Sequence, residues 1–341
     1  MNIKDFDYFL PENLIAQTPL EKRDNSRLMV VDKKTGKIDH KFFYDVYDFL
    51  KSGDVLVLNN SKVIPARIFG KREGSGGVIE TLLLKSVSEN EWEVLVKPGR
   101  KALVGQVIEY SDKMKGTVTE ILEDGKRIIR FDYSSNNIYE ILDEIGNMPL
   151  PPYIKEKLED KDRYQTVYAK HLGSAAAPTA GLHFTDELIK RLEEKGVIIK
   201  YVTLHVGLGT FRPVKVDDIT QHIMHSEHYY VPDDTASEIL KAKKEGRRVI
   251  CVGTTSVRTV ESAFDEAGNL IKQENDTSIF IYPGYQFKIP DAIITNFHLP
   301  QSTLVMLVSA FSSRKIILNA YQTAIENEYR FFSFGDAMLI K

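Results

Sequence analysis

Apolar residues recur along the chain in two different patterns. Between residues 78 and 132 short apolar runs are separated by polar, glycine-containing turns, and no helical period interrupts them. The runs predict strands at 78–84, 92–96, 106–110, 117–122 and 127–132. Five closely spaced strands without helices predict a small sandwich or barrel. Apolar positions 138, 141, 142 and 145 then share one helix face, and Gly146 with the prolines after it ends that helix.

The rest of the chain alternates strands with helices. Strands are predicted at 54–58, 197–206, 248–252, 278–282 and 292–295, and helices begin after Thr185, near Ala236 and after Ser302. Such alternation is typical of an α/β fold. We therefore predict an α/β domain formed by residues 1–62 and 152–341, with an all-β domain inserted at 63–151.

Composition restricts the class of protein more than its function. The chain has 341 residues, of which 43% are hydrophobic and 27% charged, as in ordinary globular proteins. The lone Cys251 excludes an intramolecular disulfide framework and any multi-cysteine metal site, and it suits a reducing cytosol. The N-terminus lacks a basic, then apolar leader, and the apolar segment 303–311 is too short to span a membrane. We expect a cytoplasmic protein without a membrane segment.

Charge gives only a weak signal about partners. The formal net charge is −3, but residues 62–130 carry 13 basic and 10 acidic side chains, a local net charge of +3. This excess hints at an anionic partner. Chance variation of the surface explains it equally simply and is favoured on charge alone.

Polar side chains follow four of the predicted α/β strands directly. These clusters are the segments 59–67, 205–211, 253–258 and 295–300. Ligands of α/β sheets bind beyond the carboxyl ends of strands, so we expect these segments to line one cleft. Each segment alone is also explained as a hydrogen-bonded turn or a helix cap.

Three of the polar segments allow specific chemistry. The amides and hydroxyls of Gly253-Thr254-Thr255-Ser256 precede a predicted helix and could hold an anionic group. The histidine-rich segment 222–228 permits a zinc hypothesis, but its spacing is not that of a His-Glu-x-x-His site, and proton transfer or polar contacts are favoured. His183 follows a loop of small residues and precedes a capped helix, where the positive helix end would keep an imidazole neutral and available as a base. A packed, hydrogen-bonded histidine is the alternative.

Motifs spread over the whole chain resemble one family, the S-adenosylmethionine:tRNA ribosyltransferase-isomerases of queuosine biosynthesis. They include Asn59-Asn60-Ser61-Lys62, Lys97-Pro98-Gly99-Arg100-Lys101, Met148-Pro149-Leu150-Pro151-Pro152-Tyr153, Arg163-Tyr164-Gln165-Thr166-Val167-Tyr168, Ala177-Pro178-Thr179-Ala180-Gly181-Leu182-His183-Phe184, Gly209-Thr210-Phe211, His225-Ser226-Glu227, Gly253-Thr254-Thr255-Ser256, Thr295-Asn296-Phe297-His298 and Gly335-Asp336-Ala337-Met338. One small departure is Ala175, where a valine is expected more often.

The resemblance implies a fold and a reaction. The fold is a large α/β barrel-like domain with an inserted small all-β barrel domain. The donor is S-adenosylmethionine, used for its ribosyl part, and the acceptor is 7-aminomethyl-7-deazaguanine at the wobble position of a tRNA. The product is epoxyqueuosine in tRNA, with release of adenine and methionine. We expect a monomer that needs no metal and no cofactor beyond this co-substrate.

This chemistry calls for a base that removes a proton beside the sulfonium and an acid that protonates the leaving adenine. The candidates are His183, His298, His205, His225 and Glu227, with His183 and His298 ranked first. Which of them is the base and which the acid stays open at this point. Side chains suited to binding the donor's ribose or carboxylate are Thr254, Thr255, Arg258 and Asn296, and Phe184 or Phe297 could stack a purine. The basic residues expected to meet tRNA phosphates are Lys62, Arg67, Lys97, Arg100 and Lys101.

Two other classes of function are weighed against this one. The first is a metal-dependent hydrolase built on His222, His225, Glu227 and His228, which stoichiometric zinc in the purified protein would support. The second is a non-catalytic RNA-binding module that uses the all-β insert. The polar strand ends in the other domain argue against it.

Overall fold

A computed structural model describes residues 1–122, 125–156, 158, 160–207, 214 and 216–341. The described chain forms seventeen strands and seven α-helices, joined by short 3₁₀ turns. The strands are β1 Arg27–Val31, β2 Ile38–Phe42, β3 Val55–Asn59, β4 Ser61–Val63, β5 Arg67–Arg72, β6 Val78–Ser86, β7 Glu91–Lys97, β8 Val107–Ser111, β9 Met114–Ile121, β10 Lys126–Tyr133, β11 His171–Ser174, β12 Ile198–Leu204, β13 Glu227–Tyr230, β14 Val249–Val252, β15 Glu274–Thr277, β16 Ala292–Asn296 and β17 Ala337–Ile340. The helices are α1 Val46–Phe49, α2 Ile138–Ile145, α3 Asp186–Glu194, α4 Asp233–Lys244, α5 Gly253–Ala263, α6 Thr303–Phe311 and α7 Arg314–Glu326.

Contacts between residues divide the chain into two compact units. The large unit comprises Met1–Asn60, Pro152–Lys170 and Pro178–Lys341, and the barrel unit comprises Ser61–Pro151 and His171–Ala177. Residues 171–177 group with the barrel unit because β11 pairs with β4 in a two-stranded sheet.

The large unit is built on a nine-stranded sheet in the order β15-β13-β12-β3-β14-β16-β17-β1-β2. At its centre, β12, β3, β14 and β16 are parallel neighbours. Every residue of β3, β14 and β16 is buried, as expected of parallel strands that are covered on both faces. Beyond this core β16 pairs antiparallel with β17, β17 pairs parallel with β1, and β1 forms a hairpin with β2.

The barrel unit is a closed barrel of six antiparallel strands in the order β10-β7-β6-β5-β8-β9. Alternate residues face its interior: β6, for example, buries Ile79, Thr81 and Leu83 in turn. All five predicted strands of this segment exist, with ends shifted by at most a few residues. The sixth strand, β5, closes the barrel and was not predicted, because its apolar–polar alternation is short and includes Gly70.

The predicted fold class, an α/β domain with an all-β barrel, is confirmed. Two predicted helix starts are also correct: the Thr185 side chain accepts the Leu188 amide at 3.1 Å, and the Ser302 side chain accepts the Val305 amide at 3.3 Å. The predicted strand at 278–282 is wrong, because the edge strand of that region is β15, immediately before it.

No single α-helix in the described ranges is long and apolar enough to cross a membrane. Among the helices of the described chain, the pair α6 and α7 reaches that length and composition, and it is bent by 116° at the break between them.

Candidate active site

The carboxyl ends of four parallel strands meet at one edge of the large sheet. Val57 of β3 is in register with Lys200 of β12 and Cys251 of β14, and Cys251 is in register with Ile293 of β16. Asn59, Gly253 and Thr295 therefore lie at the same level of the sheet, whereas His205 follows three residues beyond Val202, the register partner of Asn59. The sequence predicted this convergence from strand ends alone.

The asparagines after β3 fix the neighbouring strand end. Asn59 exchanges two hydrogen bonds with the backbone of Leu204, at 3.0 and 3.1 Å, and Asn60 accepts from the Thr203 hydroxyl at 2.8 Å. Their amides thus hold the end of β12 against β3. His205, the next residue of the chain, is half-buried at this edge.

His183 lies in a buried hydrogen-bond chain with Asn296 at the end of β16. The Asn296 amide nitrogen donates to the carbonyl of Phe332 at 3.1 Å and lies 3.0 Å from Nε2 of His183. Nε2 therefore accepts, and Nδ1 carries the proton that it donates to the Ser26 hydroxyl at 2.7 Å. The ring stacks on Phe43 at a centroid distance of 4.9 Å. This arrangement orients one neutral tautomer.

Burial, together with the charges of Arg330 and Arg23, lowers the pKa of His183 to about 3. The imidazole is thus unprotonated at every physiological pH. It also borders a small cleft that Arg23, Arg163 and Ser333 help to line. A neutral base beside a cleft fits the predicted role, although burial makes it a weak base.

The loop of small residues before His183 permits close packing. A Cβ on Gly181 would lie 2.1 Å from the hydroxyl oxygen of Tyr168. A Cβ on Gly253 would lie 3.6 Å from the Cβ of Ala180. The buried hydroxyls of Tyr168, Thr166 and Thr255 have no hydrogen-bond partner among the described residues. Tyr168 and Thr166 were not named as site residues from the sequence. Their unpartnered hydroxyls are visible only in three dimensions, although both belong to a family motif.

Helix α5 begins at the same edge with its first turn open. No side chain of the described residues caps it, and no acidic residue lies in its first turn. Thr254 is buried and Thr255 half-buried, and Arg258 lies one turn further on the same face. Nη1 of Arg258 donates to Oε2 of Glu227 in an ion pair whose two side chains are only 5% and 3% exposed. Glu227 also accepts the Gly207 amide at 3.0 Å.

The other candidate histidines occupy separate places. Nε2 of His298 is 2.8 Å from the Thr295 hydroxyl, its backbone amide donates to the Tyr321 hydroxyl at 3.0 Å, and burial lowers the pKa of its side chain to about 3. His205 stacks on His228 at a centroid distance of 6.4 Å, and His225 is half-buried.

The residues of the alternative metal site do not converge on one point. His228 pairs with Glu274 and Asp276, His222 packs on Phe280, and Glu227 pairs with Arg258. Among the residues that the structure describes, no group of three or more histidine, cysteine or acidic side chains could hold a metal ion.

The two phenylalanines proposed to stack a purine are both fully buried. Phe297 packs among Tyr321, Tyr329 and Phe331, and Phe184 packs edge-on against Phe43. Neither ring exposes a face to a ligand in this conformation.

The predicted basic residues lie on the barrel unit. Lys62, Lys97 and Lys101 are exposed, as is Arg100, whereas Arg67 is partly buried and pairs with Glu80 at 3.3 Å. The turn Gly99–Lys101 is held from inside by Arg127, which donates to the carbonyl of Gly99 at 3.0 Å. Three of the residues predicted to contact tRNA, at positions 97, 100 and 101, therefore lie close together in the chain, at a turn to which Arg127 is hydrogen-bonded.

Comparison with known proteins identifies the family. The sequence profile described as "Queuosine biosynthesis protein" matches residues 3–340. The chain belongs to this queuosine biosynthesis family. The S-adenosylmethionine:tRNA ribosyltransferase-isomerase of Clostridioides difficile (strain 630) is 58% identical over 343 residues, covering 100% of both chains.

A solved relative extends this agreement to the structure. The crystal structure of S-adenosylmethionine tRNA ribosyltransferase from Thermotoga maritima, at 2.00 Å resolution, is 39% identical over 99% of this chain and 100% of that chain, with a TM-score of 0.56. The family resemblance drawn from the motifs is confirmed, and so is the prediction of a transferase-isomerase enzyme. The family motif Gly209-Thr210-Phe211 lies outside the described residues.

Proposed function

We propose that this enzyme transfers and isomerises the ribosyl moiety of S-adenosylmethionine onto 7-aminomethyl-7-deazaguanine at the wobble position of tRNA. The product is epoxyqueuosine in tRNA, and adenine and methionine leave. The observation that carries the proposal is that the start of one family motif, at residues 59 and 60, and the motifs at 253–256 and 295–298 follow neighbouring strands at one edge of the large sheet. The name of the C. difficile relative supports both substrates.

The open first turn of α5 and the end of β16 are proposed to bind the donor. Thr254, Thr255 and Arg258 supply donors on one helix face, and Asn296 supplies an amide. Tyr168 adds a buried hydroxyl without a partner in the described chain, and burial raises its pKa, so it stays a donor at neutral pH. Phe184 and Phe297 are not retained as stacking residues, because their rings are fully covered.

We propose His183 as the base. Its Nε2 lone pair faces Asn296, so a donor that engages this amide would free the lone pair. A group with a pKa of about 3 is a weak base, and it suits only a proton that the adjacent sulfonium has acidified. His205, half-buried at the same sheet edge, is proposed as the acid that protonates the leaving adenine.

The barrel unit is proposed to contact tRNA through Lys97, Arg100 and Lys101. We propose no metal, because the sulfonium itself supplies the positive charge that acidifies the adjacent proton and makes methionine a leaving group, while an acid protonates the adenine. Chelator treatment is expected to leave turnover unchanged.

The enzyme is further proposed to act in the cytoplasm, where tRNA is found. It is also proposed to be a monomer, which sedimentation would test.

The deciding experiment incubates the full chain with S-adenosylmethionine and tRNA that carries the deazaguanine, followed by nucleoside analysis. Adenine release together with a heavier modified nucleoside is expected. A matched tRNA with guanine at the wobble position serves as the control and should give neither product. Binding of tRNA without any adenine release would instead favour a non-catalytic RNA-binding protein.

A further inference from the structure

The buried guanidinium of Arg258 uses only part of its hydrogen-bonding capacity. Nη1 donates to Glu227, whereas Nε and Nη2 are buried and have no acceptor among the described residues. A guanidinium is always charged, and leaving its donors buried without acceptors costs free energy. Buried N–H donors without acceptors are expected at a site where a bound ligand supplies the acceptors.

The two unused nitrogens form one side of the guanidinium. Nε–H and Nη2–H point in parallel, and this pair of donors matches the two oxygens of a carboxylate. Glu227 holds the opposite side of the group and is itself fixed by the Gly207 amide. The orientation of the open side is thus set before any ligand binds.

The surroundings of this open side favour an anion. Side chains of a helix lean toward its N-terminus, so Arg258 extends back over Thr254 and Thr255. The first turn of α5 has no capping side chain and no acidic residue, and the Thr255 hydroxyl has no partner in the described chain. The positive helix end and the guanidinium therefore act on the same place.

We propose that the Nε–Nη2 side of Arg258 binds the methionine carboxylate of S-adenosylmethionine, with Glu227 as its positioning residue. This inference rests on the proposed function and removes Glu227 from the candidate acids and bases. A carboxylate is preferred over a tRNA phosphate, because Arg258 is only 4% exposed, which suits a small ligand better than a polynucleotide backbone, and the donor molecule carries one carboxylate.

The test compares two ligands that differ only in this group. Binding of S-adenosylmethionine and of decarboxylated S-adenosylmethionine is measured by calorimetry on the full chain, with tRNA that lacks the modified base present so that no turnover occurs. Wild-type enzyme is expected to prefer the carboxylate-bearing ligand by about 100-fold. Equal affinities would overturn this inference and leave the proposed function standing, whereas failure to bind either ligand would overturn the proposed function as well.

Variants assign the preference to the two side chains. Arg258→Lys keeps the charge but loses the paired donors, so the preference should fall to about tenfold or less. The double variant Arg258→Gln, Glu227→Gln leaves no buried charge unpaired, should stay folded, and should bind both ligands equally. Glu227→Gln alone should lower the preference without changing the affinity for the decarboxylated ligand.

Arg191→Lys, an exposed arginine of α3, is the matched control and should keep the full preference. Melting temperatures are recorded for every variant. A folded Arg258→Lys enzyme that keeps the 100-fold preference, or that loses tRNA binding instead, would overturn the inference.

Discussion

At the scale of single residues, hydrogen-bond partners and a neighbouring cleft distinguish the two first-ranked histidines, whereas burial and motif membership do not. His183 and His298 are both buried, each with a pKa lowered to about 3, yet His183 has hydrogen-bond partners on both ring nitrogens and a cleft beside it. The sequence ranked the two histidines together, because the partners Ser26 and Asn296 are 157 and 113 positions away from His183. No local pattern reveals contacts of that range.

Replacing His183 by alanine tests its role as the base. Turnover should fall by about 100- to 10,000-fold, the usual loss when a general base is removed, with little change in tRNA affinity. Single-turnover release of adenine measures the effect, and the melting temperature is recorded beside it. His171→Ala, at an exposed position, is the control. A well-folded His183→Ala enzyme with near-normal turnover would exclude His183 as the base.

The same burial predicts how acid affects stability. His183 and His298 have folded-state pKa values of about 3, below the value of 6.5 for a free histidine, so the unfolded chain takes up protons first as the pH falls. Each should lower the free energy of unfolding by about 1.4 kcal/mol per pH unit below 6.5. Urea unfolding between pH 7 and pH 4 measures this slope. His298→Gln, which can still bond to Thr295, should reduce it, and identical slopes in the two proteins would contradict the assignment.

At the scale of elements, the proposed base lies at the end of a short 3₁₀ segment rather than in a regular strand or helix. The 3₁₀ segment Thr179–His183 contacts β16 and the start of α5, and its small residues decide how closely Tyr168 approaches. The sequence indicated an unusual loop here from composition alone. It could not show that the absence of a Cβ at Gly181 leaves room for the hydroxyl of Tyr168.

Gly181→Ala should therefore destabilise the large unit. The added Cβ would lie 2.1 Å from the buried Tyr168 hydroxyl, and overpacking of this kind costs about 1–3 kcal/mol. Adding Tyr168→Phe removes the clashing oxygen and should restore part of the loss, because the contact with the Thr166 methyl group at 2.8 Å remains. Gly207→Ala, where an added Cβ would have no atom of the described residues within 4 Å, is the matched control for urea unfolding. Additive effects of the two substitutions at 181 and 168 would show that they do not meet.

The basic turn of the barrel unit is the second element to which a role is proposed, contact with tRNA. Removing the charges of Lys97, Arg100 and Lys101 together should weaken tRNA binding and lower the slope of log affinity against log salt by about one for each lost phosphate contact. Filter binding over a range of salt concentrations measures the slope. Lys113 and Lys115 of the same unit are already neutralised by Glu144 and Glu109, so their double alanine variant should leave the slope unchanged. An unaltered slope in the triple variant would remove this turn from the interface.

At the scale of the whole molecule, the sequence predicted the type of each domain better than the individual strands and side-chain pairs that complete it. The five barrel strands and the four polar strand ends follow from local patterns, because hydrophobic alternation and strand ends are local properties. The closing strand β5, the N-terminal hairpin β1–β2 and the Glu227–Arg258 pair were missed. The ion pair joins residues 31 positions apart, which no local pattern reveals. The strands β5 and β2 were missed because their own patterns are weak: β5 is short and includes Gly70, and β2 has no buried residue.

Removing β17 tests how the large sheet is held together. This strand pairs with β16 on one side and β1 on the other, and its four residues are buried. A variant that ends at Asp336 should lose the cooperative unfolding transition of the large unit, because the β1–β2 hairpin then has no neighbour in the sheet. Removal of the exposed Lys341 alone is the milder control. An unchanged melting temperature in the shortened chain would show that β17 is dispensable.

The position of β17 also has a consequence for the time course of synthesis. The hairpin β1–β2 leaves the ribosome early, yet the strand that attaches it to the rest of the sheet is the last of the seventeen to be translated. Until β17 has been synthesised, the edge of β1 that pairs with it stays exposed. An exposed strand edge can pair with the wrong strand of this chain or of another chain. We therefore expect nascent chains stalled before residue 337 to depend on chaperones, whereas the barrel strands β5–β10, contiguous in the chain, can complete their pairing while translation continues.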